Sequence, residues 1–468
     1  MSKRILSIIL MGCMLITLVG CSTKSTDTNT EPVATSTPKE TNQETPEADD
    51  KKEEPVEKVK FTLWHSFVGA DQRAEFMEKR MADFRALHPE YEIDEQKMPR
   101  DQYQTKLKTE AAAGALPDAF LIWPNAMTKE FASASLLKDI NGYLDENGAW
   151  RDAFVSRALD EFTVDGKTYS AGLGVSITSI VYYNKALFEQ YNLQYPTSYA
   201  ELVNVINVFK DNGIIPIALG NKAKWPAQST IFSCLANRET GSEWLDSALS
   251  GTGSQFTDPE FITALSKLKE LTEIGAFNKD YNTIDEVEVR SYFYKGEAAM
   301  MIGGSWILPD MIKNAPADLK ANVEMAVLPG FEGGKGDPNT MSGVSSTGIA
   351  MSAKVTPEQQ AAIQELIQFL TNEESQKMYA SYNIPVSSKT VVINEGDLDP
   401  LYNKMLTLIK SYSLVAVYDS AMNSELTDIV NNGLQGVMIG SQTPEELAGE
   451  LQKAVKSIFG DYCIIAVR

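Results

Sequence analysis

Histidine is nearly missing from this chain: His65 and His88 are the only two in 468 residues. Cysteine is scarcely commoner, and Cys13, Cys21, Cys234 and Cys463 form no CxxC pair. Zinc sites of the HExxH or paired-cysteine kind are thereby excluded, and neither a metal nor a cofactor is expected. The GxSxG elbow of serine hydrolases is absent too. Its nearest likeness, Gly343-Val344-Ser345-Ser346-Thr347, lacks the second glycine, and His88 stands before Pro89 at what reads as a helix end. A phosphate loop fails at Lys335, which is followed by Gly336 rather than Ser or Thr, so the stretch from Gly330 to Gly336 reads as a mobile loop. Positive charge is scarce: 42 Lys and Arg against 63 Asp and Glu leave a net charge of -21, which excludes nucleic acid as a partner. Carboxylates are plentiful, but no spacing singles out a glycosidase pair.

Long apolar runs are also rare, and the one that stands out comes first. Lys3 and Arg4 precede an almost unbroken run from Ile5 to Val19, which Gly20 and Cys21 end. A spanning helix needs roughly 20 apolar residues, whereas a secretory h-region has about 7 to 15. Residues 1–20 therefore read as a signal peptide. Leu18-Val19-Gly20-Cys21 resembles the bacterial lipobox, which implies diacylglycerol on Cys21 and a lipid-anchored protein on the outer face of the cell membrane. From Ser22 to Lys58 the chain is Ser, Thr, Pro, Glu, Asp, Lys and Asn with almost nothing apolar. Such a segment cannot bury a core, so residues 21–58 read as a lipidated cysteine and an extended spacer. Cys13 leaves with the signal. Cys234 and Cys463 remain, free or paired, since their spacing calls for neither.

The body, from Val59 to about Gly460, is too long for one simple core, and two lobes are expected. A strand Val59 to Trp64, a helix Asp71 to Leu87, a strand Tyr91 to Gln96, a helix Asp101 to Ala113 and a strand Ala119 to Trp123 make a βαβαβ run, hence a mostly parallel sheet. Asp165-Gly166 between Phe162-Thr163-Val164 and Thr168-Tyr169 reads as a tight hairpin. A crossing between lobes fits Gly172-Leu173-Gly174, before the strand Ser179 to Tyr183. Further strands are expected at Ile217 to Leu219, Ala298 to Ile302 and Glu324 to Leu328. Helices Tyr199 to Lys210, Pro259 to Ile274, Pro357 to Leu370 and Pro444 to Ile458 each follow a hydroxyl with an acid or amide three residues on: Ser198 with Glu201, Thr257 with Glu260, Thr356 with Gln359, Thr443 with Glu446. The apolar end, residues 461–468, reads as a tail with no assigned role.

Leu63-Trp64-His65-Ser66-Phe67, Phe84 to Pro89 with Tyr91, Leu116-Pro117-Asp118-Ala119, Val181-Tyr182-Tyr183-Asn184-Lys185, Phe293 to Trp306 and Ile384-Pro385-Val386 occur in an order that runs over nearly the whole body. In these the chain resembles the extracellular solute-binding proteins of ABC importers, of the sugar-binding kind that includes maltose-binding and glycerol-3-phosphate-binding proteins. The resemblance implies an α/β, two-lobed periplasmic-binding-protein-like fold of class II. It places residues 59–172 and 327–353 in lobe 1 and 173–326 and 354–460 in lobe 2, with crossing strands and a ligand cleft between. It implies no catalysis, a carbohydrate ligand, permease transmembrane subunits as partners and a monomer. A secreted carbohydrate-active enzyme and a surface sensor or adhesin on the same fold are the alternatives, as is a sensing role beside transport.

A sugar presents apolar C–H faces and a belt of hydroxyls, so its site needs flat aromatic rings and a few orienting polar groups in a cleft. In open α/β sheets ligands sit beyond the carboxyl ends of the strands, which selects Trp64, His65 and Phe67 after one strand and Trp123 after another. His65 is read as a polar contact, since no second metal ligand accompanies it. Ile302-Gly303-Gly304-Ser305-Trp306 sets a large ring after a buried strand and a glycine pair that permits close backbone approach. Gly304, Ser305 and Trp306 are therefore candidates, Trp306 foremost. Ser176 enters from its place at the lobe crossing, and Asp419 as a carboxylate able to accept two hydroxyls. The resemblance adds Trp225 as a stacking residue, Gly343 as a backbone contact and Tyr103 as an aromatic of the cleft. Trp150 and Trp244, on helices among charged residues, read as structural. No Arg or Lys clamp stands among the candidates, which favours a neutral mono- or oligosaccharide over a phosphorylated one.

Overall fold

The computed structural model describes residues 57–69, 72–251 and 253–465. The expected signal segment, Cys21, the spacer up to residue 56 and residues 466–468 of the tail lie outside the described residues.

The opening run forms as its pattern requires. Val59–His65, Tyr91–Lys97 and Ala119–Ile122 are parallel strands, joined by helices Gln72–Leu87 and Arg100–Ala113. Phe76, Met77, Met81 and Phe84 recur at three or four residues and turn one helix face into the core. Two further strands complete the sheet: Gly348–Ser352 lies antiparallel beside Ala119–Ile122, and Leu137–Lys138 forms the edge.

A second sheet has the order Val323–Ala326, Ile180–Asn184, Ala298–Gly303, Ile215–Ala218. Its residues alternate between two cores. Val181, Met300 and Ile217 face one, while Tyr182, Met301 and Ala218 face the other. That is the period-two pattern of a sheet covered by helices on both sides. A small third sheet, Ser413–Val415, Thr340–Ser345 and Val175–Ile177, stands where the chain passes between the lobes. The Asp165-Gly166 hairpin forms with positive φ at both residues, 50° and 76°, as a tight two-residue turn demands.

Helix starts are mostly where the sequence puts them. Thr356 and Gln359 close a full capping box, and Thr443 and Glu446 bond reciprocally at 3.1 and 2.8 Å. Ser198 accepts from the Glu201 amide at 3.2 Å. Thr257 does not cap its helix. Pro259 occupies the first turn, so Asp258 becomes the cap position, and its carboxylate is spent on the Gln255 amide and the Trp244 indole. The last helix continues past Ile458 to Ile465 and takes up most of the expected tail.

Two stretches pack in the lobe opposite to the one expected. Helices Pro357–Thr371 and Glu373–Ser381 lay in the 354–460 segment assigned to lobe 2, yet Ile363, Leu366, Ile367, Leu370 and Tyr379 share the core of Leu63 and Phe84. They follow directly on Gly348–Ser352, and so short a connection returns them to the sheet that strand joins. Conversely, Val327, Leu328, Phe331 and Met341, expected in lobe 1, are built into the cores of the second sheet. Arg238 holds this segment, its buried guanidinium donating to the carbonyls of Leu328, Asp337, Pro338 and Thr340. Among the described residues no helix is long and apolar enough to cross a membrane.

Candidate functional site

Trp225 and Trp306 come together on the second lobe, with ring centroids 5.8 Å apart and planes at 60°. Trp306 follows the buried strand Ala298–Gly303. A side chain at Gly304 would run into the Trp306 ring, so glycine there is what allows the indole to fold back beside its own backbone. The Gly304 carbonyl accepts from the Tyr182 hydroxyl at 3.0 Å. Ser305 is buried and bonds Ile177 through both backbone and hydroxyl, which ties the loop to the crossing strand Val175–Ile177.

From the first lobe, Arg100 reaches across. Its guanidinium lies 4.4 Å from the Trp225 ring centroid and 5.6 Å from that of Trp123. Burial lowers the pKa of Arg100, against the neighbouring charges of Asp101 and Asp419, which favour its cationic form. Asp419 accepts from the Ser229 hydroxyl at 2.8 Å, and burial raises its pKa above the usual carboxylate value despite that bond and the Arg100 charge. A cation from one lobe thus faces two rings and a carboxylate of the cleft.

Trp306 also lines a crevice with Ser176, Ser305 and Ser346, closed at its sides by Arg73, Pro309 and Tyr379. Its volume is about 10 Å³, room for roughly one water. The lobes also touch directly. Gln72 donates to the Pro309 carbonyl at 3.3 Å, and Lys313 pairs with Glu75. Asn125 donates to Ser420 at 2.8 Å, and Ser424 to Glu130 at 2.6 Å. A wider groove of about 380 Å³, beside Asp428, Asn432 and Glu450, is shallow and carries no aromatic ring.

Of the residues selected from sequence, Trp123, Ser176, Trp225, Gly304, Ser305, Trp306 and Asp419 converge on this cleft. Trp64, His65, Phe67 and Tyr103 instead belong to the core of the first lobe, each at most 8% exposed. Tyr103 donates its hydroxyl to the Leu121 and Trp64 carbonyls. The Phe67 amide donates to His65 Nδ1, so Nε2 carries the hydrogen that faces Glu95 at 2.9 Å, and both ring nitrogens are engaged. Burial opposes ionisation of Glu95, yet the bonds from His65 and Arg85 outweigh it and pull its pKa down to about 2. Lys106 covers the Trp64 ring at 3.8 Å. The Gly343 carbonyl accepts from Arg157 at 2.9 Å, and the Arg157 partner Glu161 accepts from the Ser345 amide, so this backbone is clamped at the crossing.

Arg73, Arg100, Ser229, Glu286 and Ser346 were not selected from sequence. Arg100 opens the helix after the strand Tyr91–Lys97, so the strand-end rule that chose Trp64 and Trp123 also reaches it. Glu286 lies between regular elements, where no periodicity marks it. Cys234 is a free, buried cysteine of the second lobe's core.

Residues 79–396 match the family of bacterial extracellular solute-binding proteins. The Streptococcus mutans "Multiple sugar-binding protein" is 24% identical over 329 residues, 67% of this chain and 72% of its own length. A "Chitin oligosaccharide binding protein" of known structure superposes with a TM-score of 0.80 at 26% identity, over 86% of this chain and 99% of its own. A structure from work on xylan utilization by Caldanaerobius polysaccharolyticus gives 0.77 at 26% identity, over 85% of this chain and all of its own. The architecture is the two-lobed fold of the maltose-binding kind.

Proposed function

The chain belongs to the bacterial extracellular solute-binding proteins, and from that membership we propose that it captures a carbohydrate, a mono- or oligosaccharide, between its lobes and delivers it to the transmembrane subunits of an ABC importer. The observation that carries this reading is the tilted Trp225–Trp306 pair beside the serines of the crevice. Such rings match the apolar face of a pyranose, and Ser176, Ser305, Ser346 and Asp419 supply hydroxyls and a carboxylate for its polar edge. Relatives that carry sugar or oligosaccharide in their names agree in substrate class.

The crevice as it stands is too small for a sugar ring, so the lobes separate to admit one and close over it. The contacts Asn125–Ser420 and Gln72–Pro309 hold the lobes together without a ligand and break as they separate, and the face formed when the lobes close on a sugar is what a permease distinguishes. Binding and release involve no bond-breaking step, so no catalytic residue is assigned. A lipid on Cys21 would hold this monomeric receptor at the outer face of the membrane, within reach of its permease.

The test is a thermal-shift and calorimetry panel of xylo-, chito- and malto-oligosaccharides with their monosaccharides. Saturable stabilisation by one class without release of product supports the reading, and steady turnover would sink it. The tether is tested by expressing the full chain and its Cys21→Ser variant: the first should partition with membranes and incorporate labelled fatty acid, the second should do neither.

A further inference from the structure

The geometry points to Glu286 as the residue that positions the Trp306 ring, and so as a determinant of affinity that touches no ligand itself. The inference rests on the carbohydrate-binding reading above. The Trp306 Nε1 donates to Glu286 Oε1 at 3.1 Å. The same carboxylate takes two bonds from the Arg290 guanidinium, at 3.1 and 2.8 Å, and Arg290 continues to Asp310 at 3.3 Å. Asp310 in turn accepts the Tyr294 hydroxyl at 2.6 Å. Arg290, Glu286 and Asp310 are each at most 17% exposed, so the indole is anchored to a chain of largely buried charges rather than to solvent. Charge-assisted bonds of this kind are directional, which fixes the plane of the ring as well as its place.

Glu286 is itself placed from the Trp225 side. A side chain at Gly220 would meet the backbone of Asp285 and Glu286, so the loop that leads into Trp225 lies directly against the segment that carries Glu286. The two segments are also sewn together. The Asn221 amide donates to the Tyr281 carbonyl, the Lys222 amide to that of Ile284, and the Asn221 side chain to Asn282. The segment 281–286 therefore holds both members of the aromatic pair, one through its backbone and the other through a carboxylate. Their 60° angle is a property of this segment, and a ligand that stacks on both rings meets a surface set before it arrives.

The experiment is a double-mutant cycle of Glu286→Ala and Trp306→Phe, with Glu286→Gln as the conservative variant. Affinity is read by calorimetry with the best-binding oligosaccharide of the panel, and emission of the sugar-free protein by tryptophan fluorescence. Glu286→Ala should weaken binding at least tenfold, and Glu286→Gln, which keeps an acceptor for the indole, no more than about threefold. In the Trp306→Phe background, where no N–H remains to be held, Glu286→Ala should cost less than twofold. Equal losses in both backgrounds, or none in the native one, would overturn the proposal. If Glu286→Ala does not fold, Glu286→Leu, which fills the same space but offers the indole no acceptor, carries the same comparison in the two backgrounds. A wild-type chain that binds no sugar sinks the functional reading alone. The positional one then stands or falls on whether Glu286→Ala shifts the emission component that Trp306→Phe removes.

Discussion

The guanidinium of Arg100 rests 4.4 Å from the centre of the Trp225 ring, a cation of the first lobe against an aromatic of the second. Asp101 and Asp419 both favour its charge in a setting where burial opposes it. The Arg100 side chain remains 32% exposed, and a cation–π contact of this type is worth about 0.5–1 kcal/mol. Arg100→Ala should therefore loosen the contact between lobes. Small-angle scattering of the sugar-free protein should report a larger radius of gyration than for the native chain, and an unchanged radius would rule out Arg100 as a closure contact.

Trp225 and Trp306 should be the rings whose loss is felt in binding. Replacing either with alanine is expected to weaken oligosaccharide affinity by tenfold or more, at least about 1.4 kcal/mol, with little change in melting temperature. Trp150→Phe provides the contrast. Trp150 donates to the Thr371 hydroxyl at 3.1 Å and packs edge-on against Phe154, inside the first lobe, so its loss should lower the melting temperature and leave affinity alone.

How much of this was legible in the sequence depends on the scale of the signal. The first sheet was, because Phe76, Met77, Met81 and Phe84 repeat at helical spacing between the apolar strand Val59–His65 and the alternating, more polar strand Tyr91–Lys97. The Trp306 loop was too, because a buried strand followed by two glycines and a large ring has few other uses. Lobe membership after residue 327 was not. Pro357–Thr371 reads as an amphipathic helix whichever sheet it covers, and only the pairing of Gly348–Ser352 with Ala119–Ile122 decides between them. The strand-end rule selects loop positions but not the directions of their side chains. His65 turns inward to Glu95, and Tyr103, which the resemblance adds, turns inward to the Leu121 carbonyl, whereas Arg100, on the next helix start, turns to the cleft. Glu286 bonds Arg290 four residues on, as many surface pairs do, and its place beneath the aromatic ring could be found only from coordinates, since Trp306 lies 20 residues on and in no repeating register.

Glu95 sets a stability limit in acid. Its carboxylate is 12% exposed, bonded by His65 at 2.9 Å and Arg85 at 2.6 Å, and its pKa falls from an ordinary 4.5 to about 2. A carboxylate with a depressed folded-state pKa contributes stability above its unfolded value and loses it as pH falls through the folded one. The window is therefore about pH 4.5 down to 2, and the contribution is on the order of 3 kcal/mol. Melting curves of the native chain and of Glu95→Gln should differ most at neutral pH and converge toward pH 2. Parallel curves across that range would remove Glu95 as the source of acid sensitivity.

Gly304→Ala tests whether the aromatic wall tolerates any change in its backing. The added methyl would collide with the six-membered part of the Trp306 indole, and it would do so beside the carbonyl that accepts from Tyr182. Tyr182 is fully buried in the second sheet, so the backbone has little room to retreat and the ring must move instead. Movement breaks the indole bond to Glu286 and changes the angle to Trp225. The expected outcome is a loss of oligosaccharide affinity comparable to that of Trp306→Ala, tenfold or more, in a protein whose far-ultraviolet circular dichroism is native. Native affinity in Gly304→Ala would mean that the ring has a second acceptable position, and that its observed tilt does not set the shape of the site.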